Sequence, residues 1–135
     1  MGARILIATT LIDTNVLIDY LAQHPDANFN HRVEQAIGKG SALSIITRIE
    51  LLGWRRHTEQ SRRDAENLLR SMGEIPLTHT VADRVIVLRS RFSIKLPDAI
   101  IAASALTENL PLMTRNTDDF RRIDGLVLVN PFAGA

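Results

Sequence analysis

The chain has 135 residues, a net charge of +1 and no cysteine. That size fits a single domain over residues 1–135 with one core, and hydrophobic residues at 45%, in short runs broken by charge, describe a globular protein. Disulfides, a thiolate zinc site and a cysteine nucleophile are excluded, no apolar run approaches the roughly 20 residues of a membrane span, and overall charge does not point to nucleic acid. Of the 16 basic residues 14 are Arg, the side chain that matches phosphate oxygens bidentately. An Arg-rich proteome gives the same count, so the count alone decides nothing. A cytoplasmic location is the simplest reading.

Ile5 to Ile12 is a mostly apolar run ending at Asp13, which fits a strand buried on both faces. The start of the chain has a basic residue before this run, but no small-residue cleavage site follows it, so a signal peptide is not expected. Val16 to Leu21 begins a helix that Pro25-Asp26 ends. The next helix is expected from about Asn30 to Ile37, stopped by Gly38-Lys39-Gly40. Ser41 to Ile46 reads as a strand, after which Thr47 caps a helix holding Glu50, Leu51, Leu52 and Trp54. Ala65, Leu68, Leu69 and Met72 stand at helical spacing in the polar stretch from Glu59. Glu74 to Leu77 is a short strand, and Val81, Val85, Ile86, Leu88 and Phe92 mark another amphipathic helix. Pro97 opens a buried helix over Asp98 to Leu106. Leu112 to Thr114 is a strand, Thr117 to Arg122 a helical turn and Leu126 to Val129 the last strand. Strands alternating with helices imply an α/β fold with a mostly parallel sheet and helical crossovers.

Four acids stand at strand ends or helix starts: Asp13, Glu50, Asp98 and Asp119. Each has a structural explanation. Glu50 completes Thr47-x-x-Glu50, a capping box; Asp98 sits in a first helical turn; Asp13 and Asp118 or Asp119 can cap helices. Jointly they point further, because ligands of an open parallel sheet bind outside the carboxyl ends of the strands. Clustered carboxylates raise each other's pKa, a divalent cation removes that conflict, and metal-bound water is a nucleophile suited to phosphodiesters. Hard oxygen ligands select Mg²⁺ or Mn²⁺ over zinc.

The order Ile-Asp-Thr-Asn-Val-Leu-Ile, Thr-x-x-Glu-Leu-Leu-Gly, Leu-Pro-Asp-Ala-x-Ile-Ala-Ala and Thr-Arg-Asn-x-x-Asp-Phe resembles a PIN domain, and within that family the VapC-type ribonuclease toxins of toxin–antitoxin pairs. The likeness runs from about Leu6 to Val129. It implies a three-layer fold, a central sheet flanked by helices, and an endoribonuclease using Mg²⁺ or Mn²⁺. It assigns Asp13, Glu50, Asp98 and Asp119 to the acidic pocket, with Asp13 and Asp98 as metal ligands, one ion or two. It further implies a homodimer and a cognate antitoxin that inserts a peptide into the acidic groove. Asn116 stands where other PIN domains often carry an acid, and Asp118 adjoins Asp119, whose spacing fits the motif better. Thr14, Asn15, Thr114 and Asn116 are expected to orient the carboxylates; capping and turn formation would explain the first three equally.

Arg55, Arg56 and Arg115 are candidate contacts to RNA phosphate, with Trp54 able to stack on a base. Solvated arginines and a core or partner contact for Trp54 are the structural alternatives. His24, His31, His57 and His79 lack the spacing of a zinc site. No nucleophile elbow or P-loop is present. The competing function is a non-catalytic PIN-like module that binds RNA or protein, a role that does not require four converging carboxylates.

Overall fold

Strands that are apolar on both faces must be covered on both sides. Leu11, Ile12, Ala42, Leu43, Leu112 and Met113 are all buried. The computed structural model describes residues 8–132. Five strands, β1 (Thr10–Ile12), β2 (Ser41–Ser44), β3 (Gly73–Ile75), β4 (Leu112–Met113) and β5 (Leu128–Val129), form one sheet in the order β3-β2-β1-β4-β5. Every pairing is parallel. The helices among the described residues are α1 (Thr14–Leu21), α2 (Ala27–Gly38), α3 (Ile45–Leu52), α4 (Glu59–Arg70), α5 (His79–Arg91), α6 (Leu96–Glu108) and α7 (Thr117–Phe120).

The pleat sorts neighbouring strand residues into two cores. Leu11, Ala42 and Leu112 pack with Val81, Val85 and Leu88 of α5 and with the apolar run Ala99–Ala103 of α6. Ile12, Leu43 and Met113 face the other way, onto Val16 and Leu17 of α1, Phe29 and Val33 of α2, Leu51 of α3 and Leu69 of α4. The result is the expected three-layer α/β architecture. Of the first expected strand, Ile5 to Ile7 lie outside the described residues.

The third strand lies at Gly73–Ile75 rather than Glu74–Leu77 and the last is only Leu128–Val129, while two further boundaries differ from expectation for a capping reason. Asp26 accepts from the backbone N–H groups of Asn28 at 2.9 Å and Phe29 at 3.2 Å, so it starts α2 at Ala27 rather than merely ending the helix before it. Ile45 and Ile46 have the β-branched look of a strand, but the Ser44 hydroxyl accepts from Ile46 N–H at 3.2 Å and turns the chain into α3. Thr47 is therefore inside the helix and wholly buried, and the Thr47-x-x-Glu50 capping box does not form. The α6 helix has Pro97 in its first turn and ends at Asn109, whose φ of 57° gives the left-handed cap.

Phe120 anchors the four-residue α7 by burying its ring in the core on the α5–α6 side of the sheet. Replacing it with alanine is expected to cost about 3–5 kcal/mol. The loss is measurable by denaturant unfolding, and a cost below about 1 kcal/mol would show that α7 is not held this way.

Candidate active site

The strand order reverses at β1, with β2 on one side and β4 on the other. Such a switch point leaves a crevice at the carboxyl ends of the strands. Asp13 follows β1 directly and caps α1. Its carboxylate is only 3% exposed and bridges the reversal: Oδ1 accepts from Thr14 N–H at 2.7 Å, and Oδ2 accepts from the Thr114 hydroxyl, just past β4, at 2.8 Å. Thr114 Oγ1 in turn accepts from Asn116 N–H at 3.0 Å. Burial pushes the Asp13 carboxyl above its ordinary range. The two hydrogen bonds oppose that shift, while the charges of Asp98 and Glu50 add to it.

Glu50 projects from α3, which packs against α1 and α6. Its Oε1 accepts from the Thr14 hydroxyl at 2.9 Å, and Thr14 Oγ1 also lies 2.8 Å from Thr47 Oγ1. Asp98 occupies the first turn of α6. Burial raises its pKa too, and the charge of Asp119 raises it further; Lys95 opposes the rise and Glu50 adds to it. All four expected acids thus share one electrostatic field. Asp118, by contrast, is paired with Arg121 at 2.6 Å and strongly exposed, so the coupling in this motif runs to Asp119.

A divalent ion suits this donor set chemically, since every group is a hard oxygen and the buried, mutually repelling carboxylates need positive charge. As the side chains stand, no three acidic or histidine groups among the described residues close around one point. That is compatible with Mg²⁺ chemistry, in which one or two carboxylates hold an ion that keeps several waters. Asp13 is buried and Asp98 half-buried, whereas Glu50 and Asp119 are exposed.

The remaining expected residues are placed as follows. Thr14 and Thr114 are buried and hold carboxylates directly. Asn116 caps α7 without a side-chain capping bond, and Asn15 is half-buried in the first turn of α1. Arg115 is committed to Asp19 of α1, with Nη1 2.7 Å from Oδ2. Arg55 and Arg56 are exposed on the loop between α3 and α4. Trp54 is not a core residue: it is 53% exposed and lies edge-on to His57, whose Nε2 is 2.7 Å from the Leu51 carbonyl. Trp54 also lines an apolar cavity of about 430 Å³ with Ile18, Leu21, Ala22 and Leu51, bordered by Glu50. Thr47 and this cavity were missed in the sequence. The available signal for Thr47 was its place one helical turn before Glu50, on the same face.

A family model described as PIN domain matches residues 10–126. The chain belongs to the PIN domain family. This PIN domain is 30% identical to ribonuclease VapC1 of Methanocaldococcus jannaschii over 122 residues, spanning 84% of this chain and 79% of that protein. It is 27% identical to ribonuclease VapC2 of Rickettsia felis over 128 residues, 89% of this chain and 96% of the relative. Among solved structures, a chain of a toxin–antitoxin complex from Klebsiella pneumoniae matches with a TM-score of 0.74 at 32% identity, covering 93% of this PIN domain and all of that chain (100%). A chain of VapBC2 from Rickettsia felis, bound to a promoter DNA fragment, matches with a TM-score of 0.78 at 26% identity, covering 90% and 98%. These relatives place the PIN domain with the VapC-type toxins.

Proposed function

We propose that this VapC-type PIN domain is the endoribonuclease toxin of a toxin–antitoxin pair. It hydrolyses RNA phosphodiester bonds with Mg²⁺ or Mn²⁺ held at Asp13 and Asp98, and Glu50 and Asp119 complete the acidic site. The observation that carries this reading is the electrostatic coupling of four carboxylates at the switch point of a parallel sheet. When bound, the divalent ion supplies positive charge that polarises the scissile phosphate and acidifies water. The protein's own part is orientation. Thr114 and the Thr14 amide hold Asp13, and the Thr14 hydroxyl holds Glu50. Arg55 and Arg56, exposed between α3 and α4, and Arg115, paired with Asp19, are the candidates to contact the RNA backbone.

The partner is a cognate antitoxin. The apolar cavity beside Glu50 suits a peptide with an apolar face, and a basic side chain on it would reach the carboxylates and block them. Exposed Ile86, Val87 and Leu96 offer apolar surface for the expected homodimer. No helix among the described residues is long and apolar enough to cross a membrane; a cytoplasmic site of action accompanies the toxin reading.

The test is cleavage of a mixed RNA pool with Mg²⁺ or Mn²⁺ and with EDTA, with Asp98→Asn run in parallel against contaminating nuclease. Metal-dependent cutting that the variant lacks is the expected result. A folded, metal-binding wild type that cuts nothing would favour the non-catalytic binding module instead. Independently, Mn²⁺ at about 100 times its Kd is expected to add about 2.7 kcal/mol, raising the melting temperature by on the order of 10 °C. No shift at saturating metal would count against the site.

A further inference from the structure

Thr47 is fully buried in α3, one turn before Glu50, and its Oγ1 is 2.8 Å from Thr14 Oγ1. A hydroxyl has a single proton to donate. Thr14 gives its proton to Glu50 Oε1 at 2.9 Å, because an ionised carboxylate only accepts. The proton shared by the two threonines therefore comes from Thr47, and the relay runs from Thr47 to Thr14 to Glu50. Thr14 also gives its backbone N–H to Asp13 Oδ1 at 2.7 Å, so one residue ties two of the four carboxylates together. Glu50 is exposed, and an unheld glutamate on a surface helix samples many rotamers. The hydroxyl of Thr47 is not needed to start the helix, which Ser44 caps. A valine would fill the same volume.

We propose that Thr47 is a positioning residue of the acidic site: its donated hydrogen bond fixes the direction of the Thr14 hydroxyl, which holds the Glu50 carboxylate toward the metal. This rests on the metal-dependent nuclease reading. Buried hydroxyl chains polarise one another, so removing the first donor weakens the last bond as well as freeing Thr14 to turn.

Calorimetric Mn²⁺ binding without RNA, together with kcat and KM for cleavage, tests the role in Thr47→Val and Thr47→Ser. The valine variant is expected to bind Mn²⁺ about tenfold more weakly and to lose kcat by a similar factor, with KM for RNA unchanged. Serine, which keeps the hydroxyl, should restore both. In a Glu50→Ala background Thr47→Val should cause no further loss of Mn²⁺ affinity, because the residue acts through Glu50. A valine variant with wild-type Mn²⁺ affinity and kcat overturns the role. So does a loss that serine does not restore, which would mark simple packing, or a full further loss without Glu50. A wild type that neither binds Mn²⁺ nor cuts RNA fails in its own arm and overturns the nuclease reading and the role together.

Discussion

Asp98→Asn is expected to lose RNA cleavage by on the order of 10³-fold, about 4 kcal/mol of transition-state stabilisation, while the metal-free protein becomes more stable than wild type. The two effects have one cause. Asp98 is held among carboxylates: burial raises its pKa, the charges of Asp119 and Glu50 raise it further, and Lys95 only partly compensates. Without a metal, its ionised form therefore costs more in the folded protein than in the unfolded chain. The amide keeps the shape and the place in the first turn of α6 while removing the charge. Losing a favourable helix-dipole contact, worth about 0.3–1 kcal/mol, works in the opposite direction. Burial and the repulsion from Asp119 and Glu50 are expected to exceed that gain. With metal present the order should reverse, because only the carboxylate collects the ion's binding energy. The measurement is a pair of melting curves for each protein, in EDTA and in Mn²⁺, beside the cleavage rate. Wild-type cutting by the variant would remove Asp98 from the site. A lower melting temperature for the variant in EDTA would show that its carboxylate is a structural group.

The placement of these acids was partly legible in the sequence, because Asp13, Asp98 and Asp119 sit where helices start and strands end, whereas Glu50 lies inside α3. Asp13 after an apolar run and Asp98 after Pro97 announce their places through local chemistry. Their convergence depends on the strand order β3-β2-β1-β4-β5, which hydrophobic pattern does not encode; only the alternation of strand and helix made a parallel sheet expected. Local pattern failed at Ser44-Ile45-Ile46-Thr47. Two β-branched isoleucines look like strand, and Thr47 with Glu50 looks like a capping box, yet Ser44 caps one turn earlier and frees the Thr47 hydroxyl for a contact 33 residues away. Asp118 and Asp119 are adjacent and alike in composition, and beyond motif spacing it is the Arg121 pair of Asp118 and the action of Asp119 on Asp98 that separate them. The link from Arg115 to Asp19 and the Trp54-lined cavity join segments distant in the chain, so no short window contains them.

Asp13→Asn should flatten the dependence of stability on pH and abolish most of the stabilisation by Mn²⁺. The wild-type carboxyl has a folded-state pKa above its ordinary value of 3.8. In the interval between that value and the raised one, the folded protein holds a proton that the unfolded chain has released. Stability therefore falls as pH rises through the folded pKa, and the contribution is fully present only below the ordinary value. Metal-free wild type should accordingly gain melting temperature, relative to the variant, as pH drops from neutral into this interval. Comparison at a single pH is less informative, because the amide brings its own cost. Its oxygen can accept from Thr14 N–H, but its NH₂ then faces the Thr114 hydroxyl, which presently donates to Oδ2 while accepting from Asn116. Turning the amide over restores the Thr114 contact and sets NH₂ against the Thr14 amide instead. One buried donor is left unmatched either way, at about 1–3 kcal/mol, which offsets the relief from removing the charge. The slope escapes this cancellation, since an amide does not titrate. Saturating Mn²⁺ should invert the wild-type slope, because the ion binds the ionised carboxylate and competes with the proton, and should leave the variant nearly unchanged. Parallel melting-temperature profiles for the two proteins in EDTA, or equal responses to Mn²⁺, would mean that Asp13 serves the fold as the cap of α1 and takes no part in holding a metal.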